Sequence, residues 1–382
     1  MKVLHICSAF SPLSETFIYD YITELERQGI ENHVLTFHRL NEQDRPFDRV
    51  YVVQIKHDMI WLVQRLIAQL SKGPGRYFSI QRRAMRKIIE QVNPDVIHAH
   101  FGPMGVLVAP IAKQLKIPLI VSFHGYDASR LLTEKFWRKE YKKLWITVNG
   151  VTVVSTYMKN KLLVEGCPEG KISVIHVSKR MKNINIKKRS SKIENLISVG
   201  RLVEKKGYAD AILAIKKVRD AGYNVKLKII GDGPLKHELS KLIQNQKLDD
   251  AVFLSGALPN HQVLGEMSQA DAFILCSKRA QNGDEEGIPT VLIEAQYLGL
   301  PCVSTYHSGI PELISGDNRI FLAEEGNVEQ IKDCIIRLIH TDPDELSRMI
   351  EQAREKVENE FNLEKEVIKL IKKYKISSYY AE

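Results

Sequence analysis

The sequence predicts an α/β protein with two doubly wound domains. Three observations support this: the chain has 382 residues, strand-like and helix-like segments alternate in both halves, and a basic stretch separates the halves. At roughly 150 residues per domain, the length favours two domains. Short apolar runs that alternate with amphipathic helices are typical of parallel sheets with helices on both faces.

The first half opens with a strand and a helix. Residues 3–7 form a short apolar run, residues 17–25 carry apolar side chains at helical spacing, and Ser14 is placed to cap that helix. Further strands are predicted at 33–37, 50–53, 95–98 and 118–123, with helices near 80–92 and 104–115. We therefore expect a first parallel sheet, in a domain of residues 1–178.

The stretch 179–192 contains seven basic residues and no acidic one, and we interpret it as the linker. A second domain is expected at 193–355, and an amphipathic segment at 344–374 predicts one or two helices. Strands of that domain are predicted at 196–199, 225–230, 252–254 and 272–276, with helices at 208–221, 236–246 and 262–269.

Composition excludes several protein classes. Hydrophobic residues make up 44% and charged residues 26%, which is ordinary for a folded enzyme. No apolar segment reaches the roughly 18 residues of a membrane span, so we expect a cytoplasmic protein. The five scattered cysteines predict neither disulfides nor a zinc site. The net charge of +9 suits an anionic partner, which charge alone does not identify.

The most specific motif joins two glutamates, Glu286 and Glu294, across seven residues. If residues 287–290 form a first helical turn, the step from one glutamate to the other spans at most about 12 Å at 1.5 Å per residue. This distance matches the reach from a donor sugar to the ribose of the same nucleotide. The free N–H groups of the helix start would bind the phosphates between them. The alternative is an acidic surface loop and a solvated helix face. The backbone of this start is formed by Gly287, Ile288, Pro289 and Thr290.

Two glycine-rich turns follow predicted strands of the second domain. Arg201 and Lys206 lie after the first strand, where two cations could neutralise a diphosphate without a metal ion. Gly231 lies in a Gly-Asp-Gly-Pro turn that lacks the third glycine of a dinucleotide fingerprint. That turn is interpreted as structural, with backbone contact to the ligand as the alternative.

In the first domain, His124 and Asp127 follow a predicted strand and are expected to point towards the ligand rather than into the core. Glu15 offers a polar side chain at the turn from the first strand to the first helix. His98 and His100 also end a strand, but no third ligand at a suitable spacing accompanies them, so no metal site is predicted.

The order of these motifs resembles retaining glycosyltransferases of family 4, which have the GT-B fold, over nearly the whole chain. The motifs are HGYD, GRLVEKKG, GDGP, the paired glutamates and SGIPEL. The segment 284–294 with HSGIPELI looks especially like bacterial transferases that build exopolysaccharides and lipopolysaccharides. The resemblance implies two Rossmann-like domains facing across a cleft, with a last helix, at 356–382, that crosses back to the N-terminal, acceptor-binding domain.

The resemblance also implies roles. Glu286 and the backbone after it would hold the donor sugar, Glu294 the ribose, and Arg201 with Lys206 the diphosphate, while His124 would lie at the reacting sugar. The anomeric configuration would be retained in a front-face reaction, in which the leaving phosphate helps to deprotonate the acceptor. The chain departs from the family at 177–180, where relatives usually have a glycine and an acidic residue.

We therefore expect transfer of a sugar from a UDP- or GDP-linked donor to a saccharide or lipid-linked saccharide, with no further cofactor. The alternative within the fold is a nucleotide-sugar epimerase or hydrolase. A nucleic-acid-binding protein would leave the paired glutamates unexplained, so no nucleic acid partner is expected. A basic and apolar surface near the predicted helix at 80–92 suits an anionic membrane, with a solvated helix face as the alternative. Its residues are Arg76, Tyr77, Phe78, Ile80, Arg82, Arg83, Arg86 and Lys87.

Overall fold

The computed structural model describes residues 1–12, 15–54, 77–180 and 192–379. The chain forms two compact units, of which unit 1 comprises Met1–Ile175 and Leu363–Glu382, and unit 2 comprises His176–Asn362. The first boundary therefore lies slightly before the predicted end of the first domain at 178. Most of the predicted linker, residues 181–191, and Ser14 lie outside the described residues.

Unit 1 contains a seven-stranded sheet in which every pairing is parallel, with the order β3-β2-β1-β4-β5-β6-β7. The strands are β1 (Lys2–Phe10), β2 (Glu31–Arg39), β3 (Val50–Val52), β4 (Val96–His100), β5 (Leu119–Phe123), β6 (Gly150–Val153) and β7 (Ile172–Val174). The helices before unit 2 are α1 (Thr16–Arg27), α2 (Tyr77–Val92), α3 (Gly102–Leu115), α4 (Lys135–Thr147) and α5 (Thr156–Val164). Every residue of β4 and β5 is buried, as expected for central strands that are covered on both faces.

Unit 2 contains a six-stranded parallel sheet with the order β10-β9-β8-β11-β12-β13. The strands are β8 (Asn195–Val199), β9 (Lys226–Ile230), β10 (Val252–Leu254), β11 (Ala272–Ile274), β12 (Cys302–Thr305) and β13 (Leu322–Ala323). The helices are α6 (Tyr208–Asp220), α7 (Lys236–Asn245), α8 (Asn260–Gln269), α9 (Thr290–Tyr297), α10 (Ile310–Leu313), α11 (Val328–His340) and α12 (Pro343–Glu360). Both units thus have the 3-2-1-4-5-6 strand order of the Rossmann fold, which confirms the predicted fold class.

The charged C-terminal segment forms two helices that belong to different units. α12 stays in unit 2, where Val357 and the following Phe361 are buried in the core. α13 (Leu363–Tyr379) belongs to unit 1, where Val367 and Tyr374 pack in a cluster with Leu25 of α1. The chain therefore returns to unit 1 at Leu363, later than the boundary predicted at 356, because Val357 and Phe361 are buried in the core of unit 2.

Candidate active site

The strand order of unit 2 reverses beside β8, which lies between β9 and β11. Open parallel sheets bind ligands beyond the carboxyl ends of their strands at such a reversal. Residues 200–207 follow β8, residues 231–235 follow β9, and residues 275–289 follow β11. Most of the predicted donor-site residues therefore lie at this edge of the sheet.

Two glycines let these loops approach one another at backbone distance. A Cβ atom on Gly231, at φ +155°, would lie 1.9 Å from the carbonyl oxygen of Gly200. A Cβ atom on Gly207, at φ +65°, would lie 1.7 Å from the carbonyl oxygen of Cys276. Neither position can hold a larger residue without moving the backbone. Gly231 thus has the structural role that was predicted, and its contact with a ligand stays a prediction.

Lys206 and Glu286 form a largely buried ion pair. The Lys206 Nζ atom lies 3.1 Å from Glu286 Oε1, and the side chains are 13% and 10% exposed. Burial by itself would raise the pKa of Glu286, but the positive charges of Lys206 and Lys205 lower it to about 2. The structure therefore provides a carboxylate that is ionised at neutral pH beside the side chain of Lys206.

The loop after β12 holds the backbone of Glu286. Its N–H donates to His307 Nε2 at 3.0 Å, and Ser308 Oγ donates to its carbonyl oxygen at 2.7 Å. Because His307 Nε2 accepts, the ring proton lies on Nδ1, which donates to Glu325 Oε1 at 2.6 Å. Burial would raise the pKa of Glu325, but this hydrogen bond and the N–H of Arg279 lower it below its usual range.

The helix after Glu286 begins later than predicted. Residues 287–289 precede α9, Pro289 is its N-cap, and Thr290 is its first residue. The predicted first turn at 287–290 is therefore wrong, because Pro289 is extended at ψ 117° and its carbonyl accepts from Leu292 at 3.0 Å. Thr290 and Val291 lie in the first turn, where N–H groups have no intrahelical acceptor.

Glu294 lies in α9, and its Oε1 atom is 3.5 Å from Lys179 Nζ. Both side chains are largely buried, at 13% and 16% exposure. Arg201 is exposed, and within the described residues its side chain makes no hydrogen bond or ion pair. The structure thus pairs Lys206 with Glu286 and Glu294 with Lys179, while Arg201 is exposed to solvent.

In unit 1, Asp127 does not point towards a ligand as predicted. It is fully buried, and its carboxylate accepts three backbone N–H groups: Gly102 at 2.9 Å, His124 at 3.0 Å and Gly125 at 2.9 Å. Burial raises the pKa of Asp127, although these hydrogen bonds oppose the shift. The carboxylate therefore fixes the turn after β5 to the start of α3.

His124 lies beside two aromatic rings, and its contact with a ligand stays a prediction. Its ring centroid is 4.8 Å from that of Phe17 and 4.7 Å from that of Phe101. Both ring nitrogens are buried, and neither has a hydrogen-bond partner among the described residues. Burial lowers the pKa of His124 to about 3, so the ring is neutral and offers one donor and one acceptor.

Glu15 is the N-cap of α1 without a side-chain capping bond, and its contact with a ligand stays a prediction.

Comparison with known proteins identifies the family. Residues 14–177 match the family described as Glycosyltransferase Family 4, and residues 179–356 match that described as Glycosyl transferases group 1. The putative colanic acid biosynthesis glycosyltransferase WcaL of Escherichia coli K12 is 31% identical over 95% of this chain and 96% of its own length. This chain belongs to the family 4 glycosyltransferases.

Two further comparisons agree with this assignment. The amylovoran biosynthesis glycosyltransferase AmsK of Erwinia amylovora is 31% identical to this glycosyltransferase over 95% of the chain and 96% of its own length. The crystal structure of Anabaena HepE, in complex with UDP and glucose, has a TM-score of 0.74 at 18% identity. That likeness covers 97% of this chain and 98% of HepE, and it shows the shared fold.

Sequence reasoning missed the residues that support Glu286 in this glycosyltransferase. His307 precedes the SGIPEL motif, and Glu325 follows β13, so neither is near Glu286 in the chain. The histidine of HSGIPELI could be noticed in the sequence as part of a motif. Its partner Glu325 is identified only in the structure, where the two loops are in contact.

A third histidine near His98 and His100 was also missed. His5 on β1 lies opposite His98 on β4, and the three residues offer ring nitrogens within 4.8 Å of one another. The spacing along the chain offers no third ligand because strand pairing places His5 beside the pair.

Only some side chains of the predicted basic surface are exposed to solvent in this glycosyltransferase. Arg82 is half-buried and donates to the carbonyl oxygens of Leu107 and Val106 at 2.9 and 3.2 Å, so it holds α2 to α3. Arg83, Arg86 and Lys87 are exposed on α2. Arg76 and the side chains of Tyr77, Phe78 and Ile80 lie outside the described residues. Among the described helices, none combines the length and the apolar character that crossing a membrane requires.

Proposed function

We propose that this glycosyltransferase moves a sugar from a UDP- or GDP-linked donor to a saccharide or lipid-linked saccharide during synthesis of a cell-surface polysaccharide, with retention of the anomeric configuration. The observation that carries the donor assignment is the Lys206–Glu286 pair at the carboxyl edge of unit 2. Names of relatives such as WcaL and AmsK support the polysaccharide context.

The chemistry of the pair suits a nucleotide sugar. Glu286 is ionised at any physiological pH, so its carboxylate accepts hydrogen bonds from sugar hydroxyl groups. Lys206 and the exposed Arg201 supply positive charge to a diphosphate that gains negative charge as it leaves. The first N–H groups of α9 add an anion site beside them. Because these groups can neutralise the leaving group, we propose that the transfer does not require a divalent metal ion.

Glu294 is proposed to hold the ribose of the donor. Its Oε1 atom already contacts Lys179 Nζ at 3.5 Å, so the carboxylate is oriented before a ligand binds. A carboxylate that accepts from a ribose hydroxyl group adds binding free energy without contributing to the chemical step.

The experiment that tests the donor site is calorimetric titration with UDP, GDP, ADP and their sugars in the presence of a chelator. We expect wild type to bind one nucleotide sugar, and Glu294→Ala to bind it about tenfold more weakly, since a hydrogen bond to a charged group contributes about 1.5 kcal/mol. Lys216→Met is the control, because Lys216 pairs with Asp220 on the surface of α6 and with no other residue in the described part of the chain. Absence of binding to every nucleotide would contradict the proposal.

The epimerase or hydrolase alternative predicts a different outcome. Such an enzyme consumes the donor efficiently without an acceptor, whereas a transferase requires one. The relatives named above are glycosyltransferases, which favours transfer.

We also propose that unit 1 binds an anionic membrane surface through Arg83, Arg86 and Lys87 of α2. Arg86 shares its charge with Glu90 at 2.8 Å, so Arg83 and Lys87 are the main contributors. Exposed cations on one helix suit a lipid-linked acceptor at the inner face of a membrane.

A further inference from the structure

Four histidines cluster on or directly after three central strands of unit 1. His5 lies on β1, His98 and His100 lie on β4, and His124 follows β5. The ring centroids of His5 and His100 are 5.4 Å apart, and those of His100 and His124 are 5.8 Å apart. The first three residues are fully or almost fully buried, so their ring nitrogens need partners inside the protein or on a ligand.

The hydrogen bonds of Asn32 determine the tautomer of His5. Asn32 Nδ2 donates to Glu26 Oε1 at 2.9 Å and to the carbonyl oxygen of Ile30 at 2.8 Å. The amide oxygen is therefore the atom that faces His5 Nε2 at 2.9 Å, and it can only accept. His5 Nε2 thus carries a proton. Burial lowers the pKa of His5 to about 4, so the ring is neutral and its Nδ1 is unprotonated.

The same reasoning extends to His100. His5 Nδ1 lies 3.1 Å from His100 Nε2, and an unprotonated nitrogen must accept, so His100 Nε2 carries the proton. Burial and the neighbouring His98 lower the pKa of His100 well below its usual range. His100 Nδ1 is therefore an unprotonated acceptor, and it has no hydrogen-bond partner among the described residues.

The unpartnered Nδ1 atom needs a hydrogen-bond donor, which a ligand can supply. A phosphate or carboxylate group has only acceptor oxygens, whereas a sugar hydroxyl group has an O–H to donate. The neighbouring His124 also has two buried nitrogens without partners, so a second hydroxyl group could be satisfied beside the first. An uncharged polyol fits these atoms.

A metal ion fits them less well. A zinc ion is held by at least three ligand atoms of the protein, each with a free lone pair. Both nitrogens of His98 are already bonded at 2.6 Å, to Tyr374 and Ser122, and both nitrogens of His5 are bonded as described above. His100 Nδ1 is therefore the one unoccupied lone pair of these three described residues.

We propose that His100 binds a hydroxyl group of a saccharide substrate through its Nδ1 atom, and that His5 and Asn32 are positioning residues that hold His100 in the required tautomer. The inference rests on the proposed function for its ligand class. The hydroxyl group belongs either to the acceptor or to the sugar of the donor, and the test distinguishes the two.

The tautomer is tested first, without any activity measurement. Long-range ¹H–¹⁵N correlation spectra of histidine-labelled protein are expected to show His5 and His100 both protonated on Nε2 at neutral pH. A proton on His100 Nδ1, or stoichiometric zinc, copper or nickel in the purified protein, would overturn the inference. His5→Phe removes the acceptor for His100 Nε2 and is expected to give His100 a mixture of tautomers, provided that its circular dichroism matches wild type.

The ligand is tested by adding free hexoses, N-acetylhexosamines and UDP-glucose or GDP-mannose at millimolar concentration. We expect the His100 Nδ1 signal to move with the saccharide that donates to it, while the His5 signals stay in place. A response to free sugars assigns the hydroxyl group to the acceptor, and a response to nucleotide sugars alone assigns it to the donor. An Nδ1 signal that responds to none of them would overturn the inference.

Two variants of His100 separate binding from folding. His100→Gln keeps an N–H group towards His5 but has no atom in the place of Nδ1, whereas His100→Asn places an amide oxygen near Nδ1. We expect His100→Gln to raise KM for the bound saccharide about tenfold with a smaller change in kcat, and His100→Asn to raise it less. The control is His261→Gln on the exposed start of α8. Unchanged KM for both substrates in His100→Gln would overturn the inference.

These measurements also separate the inference from the proposed function. If no nucleotide binds in the calorimetric test, the donor site of unit 2 fails, while the tautomer of His100 and its response to free sugars are still measured. If nucleotides bind and sugar transfer occurs but His100 carries its proton on Nδ1, only the present inference fails.

Discussion

The two units have the same strand order around their central strands but different chemistry at the carboxyl edge of the sheet. In unit 1 neutral histidines lie at this edge and on the strands leading to it, because burial lowers the pKa of His5 to about 4 and that of His124 to about 3. In unit 2 it carries opposite charges, and the pKa of Glu286 falls to about 2 beside Lys206. The shared topology determines where a ligand binds, whereas the side chains determine which chemistry it has.

This difference matches two kinds of ligand. We expect neutral rings with unpartnered nitrogens to suit uncharged hydroxyl groups. We expect the Lys206–Glu286 pair to suit a charged group, because an anion can replace part of the pairing of Lys206. Each of the following predictions tests one side of the comparison.

The largest effect is expected for Lys206→Met. The substitution leaves Glu286 buried without its nearest cation, so we expect a loss of about 3 kcal/mol in the free energy of unfolding. We also expect a fall in kcat/KM of about 100-fold or more, as for other groups that stabilise developing charge. Urea unfolding and initial transfer rates measure the two effects.

The double variant Lys206→Met/Glu286→Gln separates these effects. It removes the uncompensated charge, so stability should recover while the rate does not. Lys216→Met, on the surface of α6, should change neither quantity. Wild-type activity in Lys206→Met would show that the pair has only a structural role.

The second prediction concerns acid stability, which the two units should lose in different pH ranges. His5 and His124 have pKa values below 6.5 in the folded chain, so protons bind the unfolded chain more strongly as pH falls from 6.5 towards 4. Each such histidine lowers the free energy of unfolding by about 1.4 kcal/mol per pH unit in that range. Glu286 stabilises the fold above its unfolded pKa of 4.5, and its contribution is lost only as pH falls from 4.5 towards 2.

Tryptophan fluorescence can report this difference, because the three tryptophans, Trp61, Trp137 and Trp145, all lie in the part of the chain assigned to unit 1. When the pH is lowered from 7 to 5, we expect the urea concentration at the midpoint of unfolding to fall. This fall should be larger for the transition followed by tryptophan fluorescence than for the last transition followed by circular dichroism. Glu286→Gln should leave this shift unchanged. If the two transitions coincide at both pH values, the assignment of the earlier loss of stability to the histidines of unit 1 is contradicted.

The smallest effect is expected at the surface of unit 1. If α2 contacts anionic lipid, Arg83→Gln and Lys87→Gln should each weaken vesicle binding about fivefold, since a cation near such a surface contributes about 1 kcal/mol. Sedimentation with anionic vesicles at low salt measures this. Lys241→Gln and Lys247→Gln in unit 2 are controls of equal charge change. Equal binding of wild type and the α2 variants would remove the membrane proposal.

The sequence predicted the alternating elements well because their periodicity is local. The strand at 252–254 is confirmed at its predicted bounds, and the helices near 208–221 and 236–246 end within a residue of their predicted bounds. The start of α9 was predicted too early, since Pro289 is extended and the helix begins only at Thr290.

The candidate site was predicted less completely because its geometry depends on contacts between loops. Asp127 was expected at the ligand, yet its carboxylate binds backbone N–H groups of its own turn and of α3. His307 supports Glu286 from a different strand end, and this role needs Glu325 from a third. None of these relations leaves a periodic signal in the sequence.

The sequence by itself determined the class of the fold, the family and the residues that carry charge near the donor motif. These depend on composition, periodicity and the order of motifs, which are properties of neighbours along the chain. Tertiary structure alone decided which charges pair, which nitrogen of each histidine holds a proton, and which carboxylate supports a loop. Those properties follow from burial and from hydrogen bonds between residues that are distant in sequence, such as Asn32 to His5 and His5 to His100.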